Sequence, residues 1–300
     1  MSHTDLSQNF RQWMASAQQQ FEALFPSFLP GTDIVPGRLH EAMRYAALDG
    51  GKRVRPLLVF AAGLLFDAPA DLLARAASAV EMIHAYSLVH DDMPCMDDDA
   101  LRRGKPTVHV KYDEATALLV GDALQAQAFL VLSEGLGDPA TRLAMLRLLA
   151  QAAGSVGMCG GQAIDLASVG LALNIQQLEQ MHRLKTGALL RASVLLGAMS
   201  GKTLSTSEVA ALDVYASAIG LAFQVVDDVL DATADSATLG KTAGKDAADN
   251  KPTYVSLLGL QASQELAQKL CKDAHAALLP FGEKAHMLRS LADLIVQRKA

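Results

Sequence analysis

Basic charge, aromatic rings and cysteine are all scarce in this sequence, and each scarcity removes a class of protein. Lys and Arg number 26 against 32 Asp and Glu, a formal charge of -6 at pH 7, whereas a nucleic-acid-binding surface draws on a basic excess gathered on one face. Aromatic residues make up 5% of the chain beside a hydrophobic fraction of 51%. The interior is therefore built from Ala, Leu, Val and Met, a composition that suits helices better than an aromatic-rich sandwich. Cys95, Cys159 and Cys271 are odd in number and far apart, which argues against a disulfide framework or a CxxC zinc site and fits a reducing cytoplasm. Neither a GxxxxGK phosphate loop nor a GxGxxG after a strand occurs, so nucleotides are disfavoured as ligands.

Helical periodicity runs through 70–92, 115–133, 174–199 and 205–231, with Leu, Ala, Val and Met recurring three or four positions apart, while alternating strand patterns are scarce. Turn chemistry interrupts it at Pro26 to Gly37, Asp49-Gly50-Gly51, Pro94, Gly135 to Pro139 and Ala232 to Pro252. Without a repeat or a Ser/Pro-rich linker, one all-α domain over 1–300 is expected. Met1 to Phe10 contains Asp5 and lacks the pattern of a signal peptide. Apolar stretches such as Ala115 to Leu132 are broken by Asp122 and glutamines, so no membrane span and a soluble chain are expected.

Two acidic clusters close two of these helices. The first runs from Asp91 and Asp92 to Asp97, Asp98 and Asp99, on a segment that Pro94 releases from regular helix. The second is Asp227-Asp228-Val229-Leu230-Asp231, in which Asp227 and Asp231 share a helix face. Carboxylates crowded at helix C-termini repel one another and the negative end of the dipole, so a cation is called for. Magnesium suits: it takes hard oxygen ligands, often only one or two carboxylates, and completes its shell with water and phosphate oxygens. A carboxylate-bridged di-iron bundle uses Glu-x-x-His pairs on facing helices, and it is set aside on the reading that no such pair appears.

Compact basic segments accompany the acids: Gly50-Gly51-Lys52-Arg53-Val54-Arg55-Pro56 upstream and Leu101-Arg102-Arg103-Gly104-Lys105-Pro106-Thr107 directly after the first cluster. Arginine forks and lysine point charges both suit a diphosphate. Lys185-Thr186 lies in the third periodic segment. Lys241, Lys245 and Lys251 lie beside Gly240 and Gly244 in a polar loop suited to closing over a phosphate. His84, seven residues before Asp91, faces the same way. Acidic and basic groups around an apolar helical interior favour a substrate with a diphosphate head and a hydrocarbon tail.

Asp91-Asp92-x4-Asp97 followed by Arg102-Arg103, together with Asp227-Asp228-x2-Asp231, resembles the two aspartate-rich motifs of trans-prenyltransferases. Gly50 to Pro56, Glu81 to Asp92, Lys185-Thr186, Phe223-Gln224 and Gly240-Lys241-Thr242 match in order, so the resemblance covers nearly the whole chain. It implies an all-α isoprenoid synthase fold, a helical bundle around a central active-site cavity, in a cytoplasmic homodimer that joins isopentenyl diphosphate to an allylic diphosphate. It implies three magnesium ions, two at the first motif and one at the second, on Asp91, Asp97, Asp227 and Asp231. Arg102, Lys185 and Lys241 would hold the allylic diphosphate, and Lys52, Arg55, His84 and Arg103 isopentenyl diphosphate, with Lys251 a further substrate-binding residue. Thr186 and Gln224 would stabilise an allylic cation beside Lys185.

Ser87 lies four residues before Asp91, about 5.4 Å down the same helix face, with Tyr86 beside it. By resemblance to the bacterial enzymes that stop at fifteen carbons, Tyr86 blocks the tail at that depth. The alternatives are a ten- or twenty-carbon product, a terpene cyclase or head-to-head condensing enzyme, and an inactive regulatory partner. The second basic segment disfavours the cyclase, and retention of both acidic motifs disfavours the inactive partner.

Overall fold

The computed structural model describes residues 3–48, 50–135, 137–233 and 252–298, and helices supply nearly all of their regular structure. In chain order they are α1 (His3–Leu24), α2 (Gly37–Ala47), α3 (Val54–Gly63), α4 (Ala70–Asp91), α5 (Val108–Lys111), α6 (Glu114–Ser133), α7 (Pro139–Ala153) and α8 (Met158–Ala167). They continue with α9 (Ile175–His182), α10 (Ala188–Met199), α11 (Thr206–Thr233), α12 (Tyr254–Leu258), α13 (Leu260–Ala277) and α14 (His286–Gln297). The all-α expectation holds, with one addition: β1 (Leu101–Arg102) and β2 (Lys105–Pro106) pair antiparallel inside the second basic segment. The helix expected over 174–199 is also refined, because Arg183–Gly187 between α9 and α10 is a π-helical turn.

Two compact units divide the chain. One holds residues 1–147 and 196–202, the other 148–195 and 203–300. Within the first, α4 is buried on every side from Ala76 to Ile83, as expected of a helix that is apolar all round. Small residues at Ala76, Ala77, Ser78 and Ala79 open that run, and α3 and α6 pack against α4. The loop before α3 is anchored by Arg53, which is 5% exposed and has a left-handed φ of 48°. Its guanidinium donates to Glu81 Oε1 at 2.6 Å, Glu22 Oε1 at 2.7 Å and the Ala47 carbonyl at 3.1 Å. The Phe21 and Phe25 rings each lie 5.5 Å from it. A buried arginine is tolerated only when it is paired in this way.

In the second unit, α11 packs against α13 and α14, and the buried Tyr215 hydroxyl donates to the Leu288 carbonyl at 2.7 Å. Leu178, Met181, Val225 and Tyr254 are among the residues of its core.

The expectation that no membrane span is evident needs correction. Measured by mean hydropathy instead of by unbroken apolar runs, α6, the stretch Pro139–Ala167 and α11 are each long and apolar enough to cross a membrane. A single Asp or Gln interrupts a run without much lowering its mean. For α11 the protein interior accounts for much of this character, since 56% of its most apolar window is buried.

Because Glu81 is the buried counterion of Arg53, Glu81→Ala should destabilise the protein by about 3–5 kcal/mol, leaving a buried charge half-compensated. Chemical denaturation followed by circular dichroism measures this, and an unchanged midpoint would show that the pair does not hold the loop.

Candidate active site

The first acidic cluster takes its shape from the end of α4. Pro94 disfavours helical backbone in the residue before it, and the chain folds back so that the Asp97 N–H donates to the Asp91 carbonyl at 2.8 Å and the Asp99 N–H to the Asp92 carbonyl at 3.2 Å. Two acids six positions apart thus become neighbours, both half-buried. Asp92 points elsewhere. It is 3% exposed and receives Arg102 through Nε at 2.9 Å and Nη2 at 2.5 Å. Burial pushes the Asp92 carboxyl above its ordinary value, against the pull of Arg102.

Arg102 is on β1, and the hairpin turn that follows uses left-handed backbone at Arg103 and Gly104. That turn carries the Arg103 guanidinium onto Gly51, where it donates to the Gly50 carbonyl. Gly51 has a φ of +119°, and a Cβ there would lie 2.7 Å from Arg103 Cζ, so only glycine fits. The two basic segments therefore meet within this unit. Arg53 turns into the core, Lys52 is exposed and Arg55 half-buried in the first turn of α3. His84 is held well below its ordinary value by burial and by the charges of Arg55, Arg103, Arg102 and Arg53, which leaves it neutral at pH 7. Tyr86 is 5% exposed, its ring edge-on to His90 at 5.8 Å, and the Ser87 hydroxyl donates to the His84 carbonyl at 2.8 Å.

The second cluster lies on the last turns of α11. Asp228, 7% exposed, accepts the Tyr254 N–H at 2.7 Å and so satisfies a donor in the first turn of α12. Asp231 is also buried, at 8%. Asp227 is half-buried, and its Oδ1 accepts Arg298 Nη2 at 2.7 Å. Arg298 also donates to the Phe223 carbonyl at 2.6 Å, its guanidinium 3.8 Å from the Phe223 ring centre. In both clusters the first acid of the Asp-Asp pair is more accessible, and the second is buried against a group of its own unit. Successive helical residues point about 100° apart, so the two acids of a pair face different surroundings.

Lys185 and Thr186 occupy the π turn, a feature common at functional sites. Lys185 Nζ reaches Asp165 Oδ2 of α8 at 2.6 Å, and the Thr186 hydroxyl donates to Gln224 Oε1 of α11 at 2.9 Å. The turn is pressed closely from α8, where a Cβ on Gly161 would lie 2.1 Å from the Lys185 nitrogen. Asp165, Gly161 and Arg298 carried no signal in the sequence: an isolated acid, glycine or arginine acquires meaning only from its spatial neighbour. Lys241, Lys245 and Lys251 lie outside the described residues.

Two Glu-x-x-His spacings occur after all, at Glu81/His84 and Glu179/His182, so the case against a di-iron centre rests on the structure. Glu81 is bound to Arg53 and Glu179 to Arg183. His84 sits among arginine charges, which repel a metal cation, and His182 stacks on the Tyr254 ring at 5.7 Å.

The polyprenyl synthetase family model matches residues 36–278. The chain is 50% identical over 264 residues to the farnesyl diphosphate synthase of Escherichia coli K12, covering 86% of this chain and 88% of that one. Among solved structures it is similar to an FPP/GFPP synthase from Zymomonas mobilis, with a TM-score of 0.87 and 45% identity over 96% of this chain and 99% of that chain. It is also similar to a geranyltransferase from Helicobacter pylori complexed with magnesium and isoprenyl diphosphate, with a TM-score of 0.83 and 32% identity over 98% of this chain and 97% of that one.

His182 gives a pH signature. Burial lowers its imidazole to about 4, below its unfolded value of about 6.5. Between those values the unfolded state binds the proton and the folded state does not, so stability falls as pH drops through this window. The full difference is about 3 kcal/mol. His182→Phe keeps the ring on Tyr254 and should flatten stability between pH 6.5 and 4, as followed by thermal unfolding. Parallel profiles for the two proteins would refute the assignment.

Proposed function

The chain belongs to the polyprenyl synthetase family, and on that premise we propose how its residues divide the work of a farnesyl diphosphate synthase. The enzyme is a short-chain trans-prenyltransferase with the all-α isoprenoid synthase fold. It condenses isopentenyl diphosphate with dimethylallyl and then geranyl diphosphate to give the fifteen-carbon product. One observation carries the assignment of roles. The fold-back after α4 brings Asp91 and Asp97 together, accessible and chemically hard, while Asp92 turns inward to fix Arg102.

Asp91 and Asp97 would hold two magnesium ions and Asp227 with Asp231 a third, since these donors are carboxylate oxygens, as magnesium prefers. When bound, the metal neutralises charge on the allylic diphosphate and makes it a better leaving group. Arg102, fixed by Asp92 within the first unit, and Lys185, fixed by Asp165 within the second, would each contact the allylic diphosphate with its own orientation already set. Lys241 would complete that grip, and Lys251 is a further substrate-binding residue. Lys52, Arg55 and Arg103 bind isopentenyl diphosphate, and the neutral His84 offers a hydrogen bond without adding charge. The Thr186 and Gln224 oxygens, linked at 2.9 Å, face positive charge developing on the allylic carbon. The released diphosphate takes the proton lost after carbon–carbon bond formation. Tyr86 limits the tail, with Ser87 one position nearer the acids.

The family match crosses both compact units, which supports one catalytic domain over 1–300. Leu118, Leu119 and Leu130 of α6, exposed at 49%, 54% and 52%, support a homodimer that covers them. A cytoplasmic setting fits three cysteines that form no disulfide.

Labelled isopentenyl diphosphate incubated with dimethylallyl or geranyl diphosphate and magnesium should yield farnesyl diphosphate, and chelation should abolish the product. Asp91→Ala and Asp227→Ala should each lower turnover by at least about 10²–10³-fold with helicity retained; near-normal rates would sink the metal assignment. Tyr86→Ala should shift products beyond fifteen carbons on chromatography, and an unchanged distribution would remove Tyr86 as the stop.

A further inference from the structure

Three side chains with no part in the proposed chemistry converge at the end of the second unit. Cys271 and His275 are four residues apart on α13 and so share a face. Asp293 meets them from α14, which packs against α13. Cys271 Sγ lies 3.4 Å from Asp293 Oδ1, and His275 Nε2 lies 2.9 Å from the same oxygen. One ligand atom from each residue falls within 4.8 Å of the other two.

The His275 contact is informative in its geometry. Nε2 is buried and close to the carboxylate, yet it makes no aligned hydrogen bond. A donor that short and that misdirected is poorly used as a hydrogen bond. Nitrogen, sulfur and oxygen atoms gathered within 4.8 Å of one another instead fit the corner of a coordination site. Tetrahedral zinc has bonds of about 2.0–2.3 Å, which sets its ligand atoms roughly 3.3–3.7 Å apart. The sulfur–oxygen distance meets this, and a small rotation of the imidazole opens the nitrogen–oxygen distance to match.

We propose that Cys271, His275 and Asp293 form a zinc-class metal site, distinct from the aspartate motifs, that pins α14 to α13. The ligand set selects the metal. Thiolate and imidazole favour zinc over magnesium, which is left to the all-carboxylate motifs. All three residues are partly accessible, so water can fill the fourth position and metal can enter. Binding transfers the Cys271 thiol proton to solvent and leaves the imidazole neutral, with its proton on Nδ1.

The test uses the whole protein, stripped with a chelator and kept in excess magnesium so that the aspartate motifs are occupied. Zinc is titrated against a chromophoric chelator, and cobalt is added separately to read the thiolate-to-metal absorption band. One equivalent of zinc should bind and raise the thermal midpoint. His275→Gln and Asp293→Asn should each weaken binding by about 10- to 100-fold or more. The cobalt band should survive Cys95→Ser and Cys159→Ser and vanish in Cys271→Ser. Failure of the wild-type protein to bind zinc stoichiometrically, or a cobalt band that persists in Cys271→Ser, would overturn the site. Neither result bears on the condensation assay, so this inference and the proposed function fail separately.

Discussion

Negative charge gathered at the C-terminal end of a helix is unfavourable, and α4 and α11 both accept it. Each handles its Asp-Asp pair in the same way. The second acid is withdrawn from solvent and satisfied within its own unit, Asp92 by Arg102 and Asp228 by the Tyr254 N–H. The first stays accessible. Repulsion is thereby lowered, and each buried acid positions a further element, the basic hairpin in one unit and α12 in the other.

The basic groups follow a related rule. Arg53 is buried between Glu22 and Glu81 and fixes the loop, while Lys52 beside it stays exposed and Arg55 half-buried. Arg103 is seated by the missing side chain of Gly51. Lys185 is tied to Asp165 on a π turn. Under the proposed roles, cations fixed in this way within their own units would have little to reorganise when charge moves onto a leaving group, which is where electrostatic catalysis gains its advantage. The neutral His84 among arginines belongs to the same design, because another positive charge there would raise the repulsion among them.

Magnesium at the motifs and a borderline-soft metal at Cys271, His275 and Asp293 would be separated by ligand chemistry. Hard carboxylates suit magnesium, whereas a mixed sulfur–nitrogen–oxygen set favours zinc over magnesium. The second set ties the last described helix to its neighbour, well apart in sequence from Asp91 and Asp97.

The sequence determined the helical class, the places where helices end and the two acidic motifs, because periodicity, proline and charge clustering are local properties written in adjacent residues. Spacing also put Cys271 and His275 on one face, although their partner Asp293 lies a helix away. The tertiary structure decided which acid of each pair faces outward, that Arg102 is held by Asp92, that Asp227 meets Arg298, and that Glu81 and Glu179 are bound to arginines. It also exposed the π turn, against which Gly161 packs closely. Those outcomes hinge on which distant segment fills the space beside a side chain, and a linear pattern of polar and apolar residues carries no record of that neighbour.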